Sequence, residues 1–169
     1  GIDAQTYRNF EVILVDSGSY DRTREIAETR GARIFRINSQ DFTFGYSLNV
    51  GIEAAKGRYI VIVSAHTVPV DENWLARLIA PLRDSAVVMS YGRQIGGPES
   101  KFSEANDFDR IFGVRPRGST PRNIRANNAN SAICEGQWVE KKFHPFLPGL
   151  EDADWASHWL RRDKRVVYV

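Results

Sequence analysis

The side chains able to do chemistry in this chain fall into five groups. Asp16, Ser17 and Gly18 follow an apolar run, at a junction of strand end and helix start where a ligand edge can dock. The plainer reading of Asp16 through Ser19 is a cap for the helix that begins at Arg22. Ser64-Ala65-His66 closes a second apolar run in the same manner. Glu151 and Asp152, with Asp154 behind them, open an amphipathic stretch built on Trp155, Trp159 and Leu160. A positioned carboxylate there can serve as a base, although acids in a first turn also simply favour the helix dipole. Asn127, Asn128 and Asn130 lead into Ser131-Ala132-Ile133; amides at that density both donate to and accept from ligand hydroxyls, or make an Asn-rich turn. Arg110, Arg115, Arg117, Arg122 and Arg125 fall within 16 residues that hold no acid. Such a cluster suits bidentate phosphate contacts, as it also suits a solvated loop.

Positioning these groups requires alternating elements. Phe10 to Asp16 is nearly all apolar, as expected of a strand covered on both faces. Arg22 to Arg30 reads as a helix, with Thr23, Ile26 and Ala27 on one side and Gly31 as its stop. Ala32 to Ile37 is a short strand. Leu48, Ile52 and Ala55 recur at helical spacing within a helix over 46–56, closed by Gly57. Tyr59 to Val63 is a buried strand, Asp71 to Leu82 a helix, and Ala86 to Tyr91 a strand again. This alternation predicts an α/β fold, a mostly parallel sheet with helices on both faces, whose ligands sit beyond the carboxyl ends of the strands. The alternation stops near Gly92. Residues 93–125 form a polar variable loop or insertion, with a short helix over 99–112, inside one domain spanning 1–169.

Composition removes several classes. The 23 basic and 21 acidic side chains give a net charge of +2, which argues against a general nucleic-acid binder, and the Arg-rich stretch lacks the aromatics of a single-strand platform. The single Cys134 excludes an internal disulfide framework and reads as a buried thiol. No apolar run reaches membrane-spanning length. The first residues lack a signal-peptide pattern, so the expectation is a cytoplasmic chain, membrane-associated only through a longer protein.

The order of the motifs carries a resemblance. Gln5-Thr6-Tyr7, then Phe10 through Ser19, then Asn49-Val50-Gly51-Ile52 with Ala55-Lys56-Gly57-Arg58-Tyr59-Ile60, resembles the start of family 2 nucleotide-sugar glycosyltransferases. The likeness resumes at Pro69 with Asn73-Trp74-Leu75, and at Pro148-Gly149-Leu150-Glu151-Asp152-Ala153-Asp154-Trp155. It is weakest between Gly96 and Pro121. The family implies an A-type, Rossmann-like fold and inverting transfer from a nucleotide-diphosphate sugar to a hydroxyl of a glycan, lipid-linked or other acceptor. It implies a setting in cell-surface polysaccharide or glycan synthesis. By the same resemblance Asp152 is the base, with Asp154 as alternate. Asp16, Ser17, Gly18, Asn49, Ser64, Asn128, Asn130 and Arg125 are expected around the donor.

Two departures stand out. The second acid usual after Asp16 is replaced by Ser17. Where the family carries Asp-x-Asp for Mg2+ or Mn2+, this chain has Ser64-Ala65-His66. Losing both acids disfavours Mg2+, whereas an imidazole still suits Mn2+. His66 is therefore open to three roles: metal ligand, hydrogen-bond donor to diphosphate, or plain strand-end residue. A non-catalytic module that keeps the fold is the alternative these departures raise. The ends of the chain read as cut from a longer sequence, with the family's first strand missing. A partner's strand edge could complete the sheet in a homodimer.

Overall fold

The computed structural model describes residues 1–97, 100–101, 106, 112–113, 119–120 and 123–169. Arg110, Arg115, Arg117 and Arg122, and most of the helix expected over 99–112, lie outside the described residues.

In chain order the elements are β1 (Ile13–Asp16), α1 (Thr23–Thr29), β2 (Arg33–Arg36), α2 (Phe44–Ala54), β3 (Tyr59–Val63) and α3 (Trp74–Ile79). They continue with β4 (Val87–Tyr91), β5 (Asn130–Cys134), α4 (Glu135–Glu140), α5 (Glu151–Leu160) and β6 (Arg165–Tyr168). β1 and β2 pair in parallel, Ile13 opposite Arg33 and Asp16 opposite Arg36. A second sheet has the order β3-β5-β4-β6. There β4 and β6 are parallel, while β5 runs antiparallel to both its neighbours. Three of those four strands therefore share one direction.

Side chains alternate across the second sheet with the two-residue period of a strand. Ile60, Ile62, Met89, Ile133 and Val166 join Trp155 and Trp159 of α5 in one core. Tyr59, Val61, Val87 and Ala132 turn the other way, toward Leu75, Leu78 and Leu82. Helices thus cover both faces, as the alternation required. α2 lies over both sheets. Its Ile52 packs with Ile60 and Ile62, while Gly51 approaches β1 so closely that an added Cβ would stand 3.0 Å from Val15 Cγ2.

Three elements differ from the pattern reading, each for a local reason. The helix read over 46–56 begins earlier, because the Thr43 hydroxyl accepts from the Tyr46 N–H and caps it. The helix read over 71–82 becomes α3 followed by a 3-10 turn at Ala80–Arg83, where Pro81 has no N–H to continue the α ladder. The Phe10–Asp16 strand shortens, and Ile13, Leu14 and Val15 are half-buried rather than covered on both faces. β1 pairs with β2 alone among the described strands, and the apolar side of α1 is open, with Ile26 53% exposed. Among the described residues no helix is long and apolar enough to cross a membrane.

Candidate active site

Three of the sequence motifs meet at residues 128–130. Ser64 donates its N–H to the Ala129 carbonyl at 3.1 Å, directly after Val63 pairs with Asn130. One residue earlier, the Asn128 N–H donates to Asp152 Oδ2 at 3.2 Å. The carboxylate at the start of α5 is therefore joined, through two adjacent residues, to the end of β3.

The local structure explains why Asp152 is held there. Leu150 adopts a left-handed conformation, φ 63°, immediately before α5. A non-glycine residue in that region stores strain of about 1 kcal/mol or more, and such strain concentrates at functional sites. Asp152 folds back so that Oδ1 also accepts from the Ala153 N–H at 2.6 Å. Burial pushes its carboxyl above the usual carboxylate range, and the neighbouring Glu151 charge pushes the same way. The hydrogen bonds from Ala153 and Asn128 oppose that rise only in part. A half-buried carboxyl with raised proton affinity, anchored by main-chain donors, is suited to accept a proton.

Asp154, the alternate base, pairs with Lys141, whose Nζ lies 2.9 Å from its Oδ2. Asn130 is also tied inside the fold, its Oδ1 accepting from Trp74 Nε1 at 3.0 Å and its Nδ2 donating to the Arg93 carbonyl at 3.2 Å. Asn128 has its amide occupied by Glu151 and Ser131. Asn49 stands apart from this cluster. Its Nδ2 donates to the Phe143 carbonyl at 2.8 Å, and its Oδ1 accepts from Trp138 Nε1 at 2.9 Å and the Phe143 N–H at 3.1 Å. Those bonds join α2 to α4 and to the segment after it, and they engage the Asn49 amide inside the fold.

Asp16 is buried and caps its own turn, accepting from the Ser19 N–H at 3.0 Å. Hydrogen bonding by Ser19 holds its carboxyl below the usual range against the opposing effect of burial, with Arg24 assisting. Gly18 has φ +120°, a conformation open in practice only to glycine. Asp16 thus closes the turn after β1, whereas α1 starts without a side-chain cap at Arg22; Ser17, half-buried, and Gly18, exposed, remain accessible beside it. Arg125 lies near the end of β4, its charge acting on Tyr91 and its N–H donating to Ser119 Oγ.

His66 is exposed, and its N–H leans on Ser64 Oγ at 3.4 Å. Among the described residues no group of three or more His, Cys, Asp or Glu side chains is placed to hold a metal ion. A single imidazole without a carboxylate partner does not by itself fit a hard divalent cation.

Sequence reasoning overlooked Ser131, the buried end of the Asn128 network. Its signal was the spacing of Asn128 and Ser131 across a strand start, visible only once that strand is known to begin at Asn130.

Residues 2–143 match the family described as glycosyl transferase family 2. The glycosyltransferase GlyG of Streptococcus pneumoniae is 35% identical over 101 residues, covering 57% of this chain and 33% of that protein. The O-antigen chain rhamnosyltransferase WbaN of Salmonella anatum is 28% identical over 92 residues, 54% of this chain and 29% of its own length. The chain thus spans a third or less of these curated relatives. Among solved structures, a mannosyltransferase from Pyrobaculum calidifontis, in complex with GDP-Man and Mn2+, superimposes with a TM-score of 0.69 at 20% identity. That match covers 99% of this chain and 50% of the other. It establishes a shared fold.

Proposed function

The chain belongs to glycosyl transferase family 2, and from that premise we propose that it carries the core of a site moving sugar from a nucleotide-diphosphate donor to an acceptor hydroxyl with inversion. Asp152 takes the proton of the acceptor O–H. The acceptor oxygen then bonds to the anomeric carbon as the bond to the diphosphate breaks, its electron pair leaving with the nucleotide. One base on the face opposite the leaving group is what such a displacement needs. The observation that carries this reading is the pair of contacts at Asn128 and Ala129, which holds Asp152 beside the end of β3. The relative names favour a polysaccharide or glycan acceptor, and the mannosyltransferase complex favours a nucleotide-diphosphate donor.

The mannosyltransferase of similar fold is complexed with Mn2+, and a divalent ion there would neutralise diphosphate charge. The described side chains around His66 do not fit such an ion. His66 instead donates a hydrogen bond to the diphosphate, and Arg125 neutralises the leaving charge.

The test is turnover of nucleotide-diphosphate sugars, read as release of nucleoside diphosphate. Asp152→Asn is expected to lower kcat by about 10²–10⁴-fold with donor affinity retained. Equal turnover in the variant removes Asp152 as base. Donor binding without turnover in the wild-type chain and in a longer protein containing it would favour the non-catalytic module.

A further inference from the structure

Asp152 is gripped by a residue that is itself gripped. Ser131 Oγ donates to Asn128 Oδ1 at 3.1 Å, and Asn128 Nδ2 donates to Glu151 Oε1 at 3.1 Å. The main-chain N–H of the same Asn128 donates to Asp152 Oδ2 at 3.2 Å. Ser131 has no exposed surface, Glu151 retains 6% and Asn128 9%. Both ends of the Asn128 amide are therefore engaged inside the protein, which leaves its peptide N–H aimed at one carboxylate oxygen.

Glu151 is the unexpected member. Burying a carboxylate is costly unless it is paired, and among the described residues the hydrogen-bond partner of this one is the neutral Asn128 amide. Apolar or amide side chains would fill the position at lower cost. What the carboxylate adds is a strong acceptor for Asn128 Nδ2 and a negative charge beside Asp152.

We propose that Glu151 is a positioning residue, acting through Asn128: it fixes the Asn128 amide and thereby the main-chain N–H that orients Asp152. This rests on the reading of Asp152 as the base and deepens it. The left-handed Leu150 just before Glu151 directs two consecutive side chains toward the same strand start. The charged groups around Asp152 are consistent with this role. Glu151 on its own helix raises its proton affinity, while Lys141, just past the end of α4, is paired with Asp154. Ser131 and Asn128, reaching it from β5 and the residues before that strand, are neutral.

The test is carboxyl and amide NMR titration of the chain, which needs no turnover. The Asp152 carboxyl is assigned by its disappearance in Asp152→Asn. In the wild type, the amide resonance of residue 128 is expected to titrate in step with Asp152. Glu151→Gln keeps the acceptor for Asn128 Nδ2 but removes the charge. It should preserve the coupled titration and move its midpoint down. Glu151→Ala should uncouple the residue 128 amide from Asp152. Should Glu151→Ala fail to fold, Ser131→Ala loosens the other end of the amide and is expected to weaken the coupling. Loss of the coupled titration in Glu151→Gln, which keeps the acceptor for Asn128 Nδ2, overturns the proposal. So does a residue 128 amide that still follows Asp152 after both ends of its side chain are released, in Glu151→Ala/Ser131→Ala. Failure of the base assignment is read separately, as turnover surviving in Asp152→Asn.

Discussion

Replacing Asn49 by alanine separates a donor contact from a structural clamp. The substitution deletes one donor and one acceptor that together make three hydrogen bonds, to Phe143 O, Trp138 Nε1 and Phe143 N. Trp138 retains 3% and Phe143 1% of their surface, so water reaches the abandoned groups poorly. A buried group left without its partner costs about 1–3 kcal/mol. Taking about 1 kcal/mol for each of the three, Asn49→Ala should lose about 3 kcal/mol, equivalent to a Tm lower by about 6–12 °C for a chain of this size. Urea unfolding followed by tryptophan fluorescence measures the loss, and calorimetric titration with uridine or guanosine diphosphate measures donor-site integrity. Asn49→Asp keeps the acceptor for both N–H groups and loses only the donor to Phe143 O, so it should cost less. Unchanged unfolding midpoints combined with lost nucleotide affinity would refute the clamp and return Asn49 to the donor site.

Opposite pH responses are expected at the two buried-end aspartates. The Asp152 carboxyl is raised in the folded state, so its ionisation opposes folding: the stability it permits is full below the unfolded value and falls as pH rises through the folded one. Asp152→Asn should therefore be more stable than the wild type at neutral pH, with the difference closing in acid, as measured by denaturant midpoints against pH. Asp16 is lowered, so its contribution is present above the unfolded value and lost as pH falls through the folded one; Asp16→Asn should be less stable at neutral pH and converge with the wild type in acid. Gly45→Ala would drive a Cβ into the His144 carbonyl, a main-chain neighbour that cannot rotate away, and should cost about 1–3 kcal/mol in the same unfolding assay. His66→Ala should weaken nucleoside diphosphate binding by about tenfold equally with Mn2+ and with chelator, as loss of one charge-assisted hydrogen bond would; a loss confined to the Mn2+ arm would make His66 a metal ligand.

The parts of the fold set by local pattern were readable in advance. The apolar run Tyr59–Val63, the spacing of Trp155 and Trp159, and the strand ending at Tyr91 all reappear, because burial on a sheet or helix face leaves a period in the sequence. What could not be read was how the amides are spent. Asn49, Asn128 and Asn130 look alike as candidate ligand contacts, yet each is committed to partners between 3 and 94 residues away. No local period records such a partner. Asp152 was identifiable from its motif, whereas its raised proton affinity depends on burial by residues distant in the chain.

Strand direction is the deeper reason pattern reading could not show how Asp152 is anchored. Helix-linked strands that run in parallel present their carboxyl ends at one edge, and ligands gather there. β5 is antiparallel to β3 and β4, with Asn130 opposite Val63 and Ser131 opposite Tyr91. Its amino end therefore lies at the edge where its neighbours finish. That reversal is what brings the Asn-rich approach to β5 beside Ser64, and it lets one short segment hold Ser64 with a carbonyl and Asp152 with an N–H. Had β5 been parallel, residues 127–130 would stand at the opposite edge of the sheet, about 15 Å from the ends of β3 and β4 for five-residue strands. The carboxylate at the head of α5 would then lack its main-chain anchor. The anchoring of the Asp152 carboxylate thus follows from the orientation of a single strand, a property that hydrophobic alternation along β5 leaves undetermined because the period is the same in either direction.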